Sequence, residues 1–277
     1  MASLLPRNPA PADPLDAHVL RTTLAACGRP MEVDVLPSCT STNALLLAAE
    51  GVHTCALLAE RQTAGRGRRG RRWHAAPGAD LTFSLRRRFE FAPSRLAGLS
   101  LAVGAGLART LRALGAHEAE LKWPNDLVAR EAKLAGVLVE TRAGSRGVTA
   151  VVGVGLNLRS DAGAETRLGR RVIALDALLA TLPGRNALAA TLLAGLQDTL
   201  DTFEREGLGA FIDDWQSMHA LQGRRLRVRT ADGRVIAGTA DGIAADGGLL
   251  LRNRSGVHAI HSGSVVRPRA GAGRAAT

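Results

Sequence analysis

Residues 62–73 read Gln-Thr-Ala-Gly-Arg-Gly-Arg-Arg-Gly-Arg-Arg-Trp, with five arginines and three glycines in the eight residues 65–72. Nothing apolar lies inside those eight residues to be buried, so they can form neither the core of a strand nor an amphipathic helix. Any fold has to carry them as a loop. The glycines permit positive φ and close backbone approach. The arginines offer planar forks that match carboxylate and phosphate oxygens. Such a loop can close over an anionic ligand, and the same residues equally suit an arm laid on nucleic acid.

At 277 residues the chain has room for one large domain and a small one. Aromatic residues make up 3% and tyrosine is absent, so Leu, Val and Ala must fill the core. The net charge of +11 favours polyanionic or acidic partners, or else reflects a general Arg-rich, Ala-rich composition. Cys27, Cys39 and Cys55 are odd in number and lack metal or redox spacing, which points to reduced thiols in a cytoplasmic protein. There is no N-terminal apolar leader segment, and no apolar run approaches the length of a membrane span.

Residues 1 to about 14, rich in Pro and Ala, are expected to be loose. Helical spacing over 15–26 ends at Gly28 and Pro30. A single helix there leaves no room for a helix-turn-helix, so no DNA-reading domain is expected. Residues 33–36 read as a strand leading into Ser41-Thr42-Asn43 and a helix over 44–50. Capping uses one of those three polar side chains, and the others sit at a strand-to-helix corner where they can face a cleft. Further strands are expected at 55–61, 81–85, 120–123, 127–129, 133–141 and 148–158, with a tight turn at Arg130-Glu131. Helices are expected at 96–114, at 172–182, at 187–203 with Asn186 as N-cap, and at 208–219. Beyond Gly223 the turn signals at 231–233, 245–247 and 254–256 mark short strands, as in a small SH3-like barrel. Strands joined by short turns, with segregated helices, indicate an α+β fold with a largely antiparallel sheet.

Three more segments carry chemistry. Lys122-Trp123-Pro124-Asn125-Asp126 sets a cation, an indole, an amide and a carboxylate at one turn. The amide and carboxylate suit Mg²⁺ beside phosphates, directly or through water. Lys133 heads an apolar strand, where it can hold an anion from a rigid frame or simply snorkel at a strand end. Residues 152–158, Val-Gly-Val-Gly-Leu-Asn-Leu, place glycines within a strand, which marks close approach of a ligand or another backbone. These glycines do not lead from a strand into a helix, so they are not a dinucleotide-binding fingerprint. His258 and His261 have no third ligand nearby and read as surface residues. No nucleophile elbow, phosphate-binding P-loop or zinc-protease motif occurs.

Taken together, Gly65-Arg66-Gly67-Arg68-Arg69-Gly70, Lys122-Trp123-Pro124-Asn125-Asp126, the run from Lys133 to Glu140 and Gly153-Val154-Gly155-Leu156-Asn157 resemble a biotin–protein ligase. The likeness extends from about residue 41 to 266. It implies an α+β catalytic domain related to class II synthetases, with a mixed, largely antiparallel sheet and a small C-terminal SH3-like β-barrel. The implied organisation is an N-terminal tail and helix over 1–30, a catalytic biotin- and ATP-binding domain over 31–221, the SH3-like domain over 222–268 and a disordered tail over 269–277.

The resemblance further implies that biotin and ATP form biotinyl-5′-AMP, which a lysine of a biotin carboxyl carrier protein then attacks. By position, Ser41, Thr42, Asn43 and Gln62 would line the biotin pocket, and Arg66, Gly67 and Arg68 would belong to the loop that orders over it. Lys133 would hold the biotin carboxylate and α-phosphate, with Arg68 as its catalytic partner. Arg69, Trp73, Lys122, Asn125, Asp126 and Asn157 would lie on the ATP side, with Asp126 nearest Mg²⁺. Without an N-terminal DNA-binding domain, the expectation is a monofunctional ligase that binds neither DNA nor membrane, and pairing into a homodimer is compatible with the family. A lipoate–protein ligase shares the fold and the adenylation logic, and a basic nucleic-acid-binding protein is the rival from another class.

Overall fold

The computed structural model describes residues 13–51, 53–144, 147–161 and 163–266. The expected loose residues 1–12 and the tail 269–277 lie outside them. In chain order the elements are α1 (Ala17–Ala26), β1 (Glu32–Leu36), α2 (Thr42–Ala48), β2 (Cys55–Ala59), β3 (Asp80–Phe89), α3 (Leu99–Ala113), β4 (Glu120–Lys122), β5 (Asp126–Ala129), β6 (Ala132–Ala143) and β7 (Val148–Asn157). There follow α4 (Ala164–Leu168), α5 (Arg185–Glu206), α6 (Ile212–Ser217), β8 (Arg225–Thr230), β9 (Val235–Ile243), β10 (Leu249–Asn253), β11 (Gly256–Ile260) and β12 (Gly263–Val266).

The first seven strands form one sheet in the order β1-β2-β3-β7-β6-β5-β4. Only β1 and β2 run parallel, and every other pairing is antiparallel. β5 and β6 turn through Arg130 and Glu131, whose φ values of 50° and 62° are the left-handed pair a two-residue hairpin needs. The last five strands form an antiparallel sheet in the order β11-β10-β9-β8-β12, as in an SH3-like barrel. The fold is therefore α+β with a mixed, largely antiparallel sheet, as expected.

Strand alternation sends the two faces of the large sheet to different tasks. On one face Leu81, Phe83, Leu85, Val152, Val154 and Leu156 are buried beneath α3 and α5. α1 packs on α5 through the fully buried Leu20 and Leu24, so this helix is fastened to the body of the large sheet. The same hydrophobic cluster continues into Leu226, Val228 and Leu249 of the C-terminal sheet. On the other face stand Ser84, Leu138, Gly136, Gly153 and Gly155, with Ser84 paired to Gly153, Gly153 to Leu138 and Gly155 to Gly136. The glycines strip that face of side chains, and α2 covers only part of it.

Two expectations fail. No helix spans 172–182: Lys133 forms an isolated bridge with Val172, and a single 3-10 turn covers Leu175–Ala177. The backbone there bonds outward, Ile173 N donating to Lys133 O at 3.0 Å and Asp176 N to Leu158 O at 3.0 Å. Long-range pairing thus overrides the local apolar spacing. Asn186 is not an N-cap: α5 begins at Arg185 after Gly184. The Asn186 side chain instead accepts from Asp16 N at 2.8 Å and donates to Pro14 O at 2.9 Å, tying α1 to α5.

Candidate active site

The corner before α2 builds the inner wall. Ser41 Oγ accepts from Ala44 N at 3.4 Å and caps the helix. Gln62 Oε1 accepts from Thr42 N at 2.8 Å, so a second cap comes from the segment bridged alongside Cys39. Relieved of capping, Thr42 pairs with Ser84 Oγ at 2.7 Å. Asn43 accepts from Ser84 Oγ at 2.6 Å and donates to Leu138 O at 3.2 Å and to Glu140 Oε2 at 3.0 Å. Ser41, Thr42 and Asn43 are each 3% exposed. A Cβ at Gly153 would lie 2.2 Å from Asn43 Oδ1, so only glycine admits this amide.

The arginine-rich loop lies against the sheet. Its ends meet where Trp73 N donates to Gly65 O at 3.0 Å, and a Cβ at Gly65 would sit 2.7 Å from Trp73 O. Arg66 pairs with Glu140 at 3.0 Å, Arg68 donates to Asn125 Oδ1 at 3.2 Å, and Arg69 donates to Ser262 Oγ of the C-terminal domain at 3.3 Å. Trp73 lies over the glycine floor, where a Cβ at Gly155 would approach its Cε2 at 2.2 Å. These internal contacts distinguish the loop from an arm extended toward nucleic acid, and among the described residues Trp73 is the one aromatic that adjoins it.

Lys133, near the start of β6, points its Nζ at Asp126 in an ion pair, 5.4 Å from the centre of the Trp73 ring. Burial pushes the Lys133 pKa down, with Arg170 and Arg71 adding repulsion, while Asp126 opposes the shift. Burial likewise lowers the Arg68 pKa, and Arg69 adds to it. Asn125 donates to Val137 O at 2.5 Å while its oxygen receives Arg68, so this amide fixes the turn to β6.

A cavity of about 460 Å³ gathers these groups: Ser41, Thr42, Asn43, Gln62, Arg66, Gly67, Arg68, Arg69, Trp73, Lys122, Asn125, Asp126 and Lys133 all line it. Of the expected site residues, Asn157 alone does not. Its amide donates to Lys133 O at 3.0 Å and Ile173 O at 3.1 Å, holding the Lys133 backbone from behind, and it faces a separate cavity shared with Asp80 and Arg159. Sequence reasoning missed Arg71, Arg170 and residues 263–265 of β12, which close the far side. Arg71 belongs to the loop already singled out, whereas nothing local marks the others. Trp123 is 2% exposed, and its Nε1 donates to Gly247 O at 3.1 Å, so this indole fastens the C-terminal domain.

Eight cationic side chains and two carboxylates line the cavity, which suits a substrate carrying several negative charges. Among the described residues no cluster of three His, Cys, Asp or Glu side chains offers a metal cage. A Mg²⁺ carried on substrate phosphates needs only one or two protein carboxylates, and Asp126 and Glu131 can supply them.

Two family descriptions match the chain, one over the large sheet and one over the C-terminal strands. The Biotin/lipoate A/B protein ligase family matches residues 36–157, and the Biotin protein ligase C terminal domain matches residues 222–267. The bifunctional ligase/repressor BirA of Salmonella typhimurium is 39% identical over 247 residues, covering 88% of this chain and 75% of its own. The biotin–[acetyl-CoA-carboxylase] ligase of Mycobacterium tuberculosis is 35% identical over 265 residues, covering 92% of this chain and 97% of its own. In solved structures, the biotin protein ligase from Aquifex aeolicus in complex with biotin and ATP superimposes with a TM-score of 0.74 at 26% identity, over 85% of this chain and 99% of that one. The chain belongs to the biotin protein ligase family.

Proposed function

We propose that the enzyme joins biotin to ATP and passes the biotinyl group to a lysine of a biotin carboxyl carrier protein. The observation that carries this is convergence: four segments far apart in sequence line one positively charged cavity. A biotin carboxylate oxygen attacks the α-phosphorus, the bond to pyrophosphate breaks, and biotinyl-5′-AMP forms. The carrier lysine, as the free amine, then attacks the biotinyl carbonyl; AMP leaves and the amine proton passes to solvent.

The buried corner of Ser41, Thr42, Asn43 and Gln62 takes the biotin head, and Arg66 and Gly67 belong to the loop that covers it. Lys133 leaves Asp126 for the carboxylate and α-phosphate, stabilising the charge that develops there. Arg68 follows with its loop. Arg69, Trp73, Lys122, Asn125 and Asp126 face the nucleotide, and Asn157 supports Lys133. Asp126 would be the carboxylate adjoining a Mg²⁺ bound with the phosphates, and that ion would neutralise phosphate charge. Loop closure keeps water from the anhydride.

We assign residues 31–221 to catalysis and 222–268 to the SH3-like domain. No described helix is long and apolar enough to cross a membrane, and all three cysteines are free, consistent with work in the cytoplasm. A homodimer would form along β1, an edge of the large sheet; light scattering tests it. No DNA partner is proposed.

Incubation with biotin and ATP·Mg²⁺ followed by mass analysis of the bound species tests the reaction. Biotinyl-5′-AMP is expected; a lipoyl adenylate formed in preference would transfer the reading to the lipoate branch. Salt-steep DNA binding in place of biotin binding would transfer it to nucleic acid.

A further inference from the structure

Two of the residues that line the cavity each hold a nitrogen sealed from solvent without a hydrogen-bond partner: Nε1 of Trp73 and Nε of Arg170. A buried donor without an acceptor costs stability unless something supplies one. Trp73 belongs to the arginine-rich loop. Arg170 arrives from a different part of the chain, just after α4.

After α4, the segment at 171–173 is drawn alongside Lys133. Lys133 N donates to Arg171 O at 3.1 Å and Ile173 N donates back to Lys133 O at 3.0 Å. Asn157 clamps Lys133 O and Ile173 O together. This short bridge leaves Leu168, Gly169 and Arg170 on the cavity wall next to the ammonium. Arg170 and Arg71 both act on Lys133 as like charges, against the single carboxylate of Asp126. Three cations gathered about one carboxylate in a half-buried space are stable together when a multiply charged anion joins them.

We propose that Arg170 is a further substrate-contacting residue, donating its guanidinium to phosphate oxygens of the ATP triphosphate beyond the reach of Lys133. The inference rests on the adenylation reading above and adds to it a residue outside the four motifs. The planar fork can take two oxygens at once, which Lys133 cannot. Arg170 thereby restrains the pyrophosphate leaving group while the carboxylate approaches phosphorus.

The test uses the whole enzyme with Arg170→Ala and Arg170→Lys, titrated separately with ATP, inorganic tripolyphosphate, adenosine and biotin. For Arg170→Ala we expect ATP and tripolyphosphate to weaken about tenfold or more, as loss of a charged hydrogen bond predicts. Adenosine and biotin should stay within about twofold, with Arg170→Lys recovering part of the loss because charge survives without the fork. Unchanged ATP and tripolyphosphate binding would overturn the proposal. So would an equal loss of adenosine and ATP, because Arg170 would then only shape its segment. A wild-type enzyme that binds tripolyphosphate through Arg170 but forms no biotinyl-5′-AMP would keep this contact and remove the biotin reading.

Discussion

Gly153 and Gly155 lie two residues apart on the same face of β7, yet alanine at each should produce opposite phenotypes. On strand propensity alone, either substitution would gain about 0.5 kcal/mol. The neighbours decide otherwise. A methyl at 153 would stand 2.2 Å from Asn43 Oδ1, and Asn43 is held by Ser84 at 2.6 Å, Glu140 at 3.0 Å and Leu138 at 3.2 Å. Overpacking costs about 1–3 kcal/mol, and each hydrogen bond broken to relieve it costs about 1 kcal/mol more. Gly153→Ala should therefore lose about 2–5 kcal/mol, lowering Tm by roughly 5–15 °C for a chain of this size. A methyl at 155 would meet Trp73 Cε2 at 2.2 Å and Cζ2 at 2.5 Å, but that ring sits on a loop and its Nε1 has no partner to lose. The loop can lift, so Gly155→Ala should cost less than about 1 kcal/mol of stability while raising the KM for ATP about tenfold or more. Scanning calorimetry and a pyrophosphate-release assay on both variants decide it. Equal Tm losses, or a wild-type KM for ATP in Gly155→Ala, would refute the argument.

Lys133→Ala should abolish most pyrophosphate release with Tm nearly unchanged; near-normal release removes Lys133 from the mechanism. Arg68→Gly should cut the tie to Asn125 and let biotinyl-5′-AMP leak, so unchanged retention of the adenylate in a dilution chase counts against a clamping loop. Asp80 is pushed up from 3.8 to about 6, chiefly by burial and then by Asp161, with the Ala76 N–H and Arg185 opposing. Its protonated form favours the fold, so this stability is present below the unfolded pKa and lost as pH rises through about 6. Asp80→Asn should then stabilise by up to about 3 kcal/mol near pH 8 and hardly at all near pH 4 in urea unfolding; a gain independent of pH refutes the shift. Trp123→Phe should cost about 1 kcal/mol through the lost bond to Gly247 O, and an unchanged urea midpoint would deny that anchor.

What was legible in the sequence is what short-range physics dictates. Arginines and glycines at 65–72 exclude every regular element, and Gly153 and Gly155 weaken a strand unless side chains need the space; Asn43 and Trp73 do. The Arg130-Glu131 hairpin and the turn-rich C-terminal strands follow from equally local rules. The failures share one cause, because their partners lie far away in the chain. Asn186 has the chemistry of a cap, but Asp16 and Pro14 are the groups it bonds. Residues 172–182 have helical spacing, but Lys133 and Leu158 claim the backbone bonds. Asn157 passes for a ligand because its motif adjoins the site, yet its amide spends both donors positioning Lys133 from behind. Arg170 is the converse case. In a polar, arginine-rich run it looks like a solvated cation, and only the bridge between Lys133 and Val172 carries it to the cavity. The bridge that dissolves the expected helix is therefore the same feature that delivers a cation to the reacting phosphates. A regular helix over 172–182 would use those backbone groups internally and leave Lys133 without its neighbour.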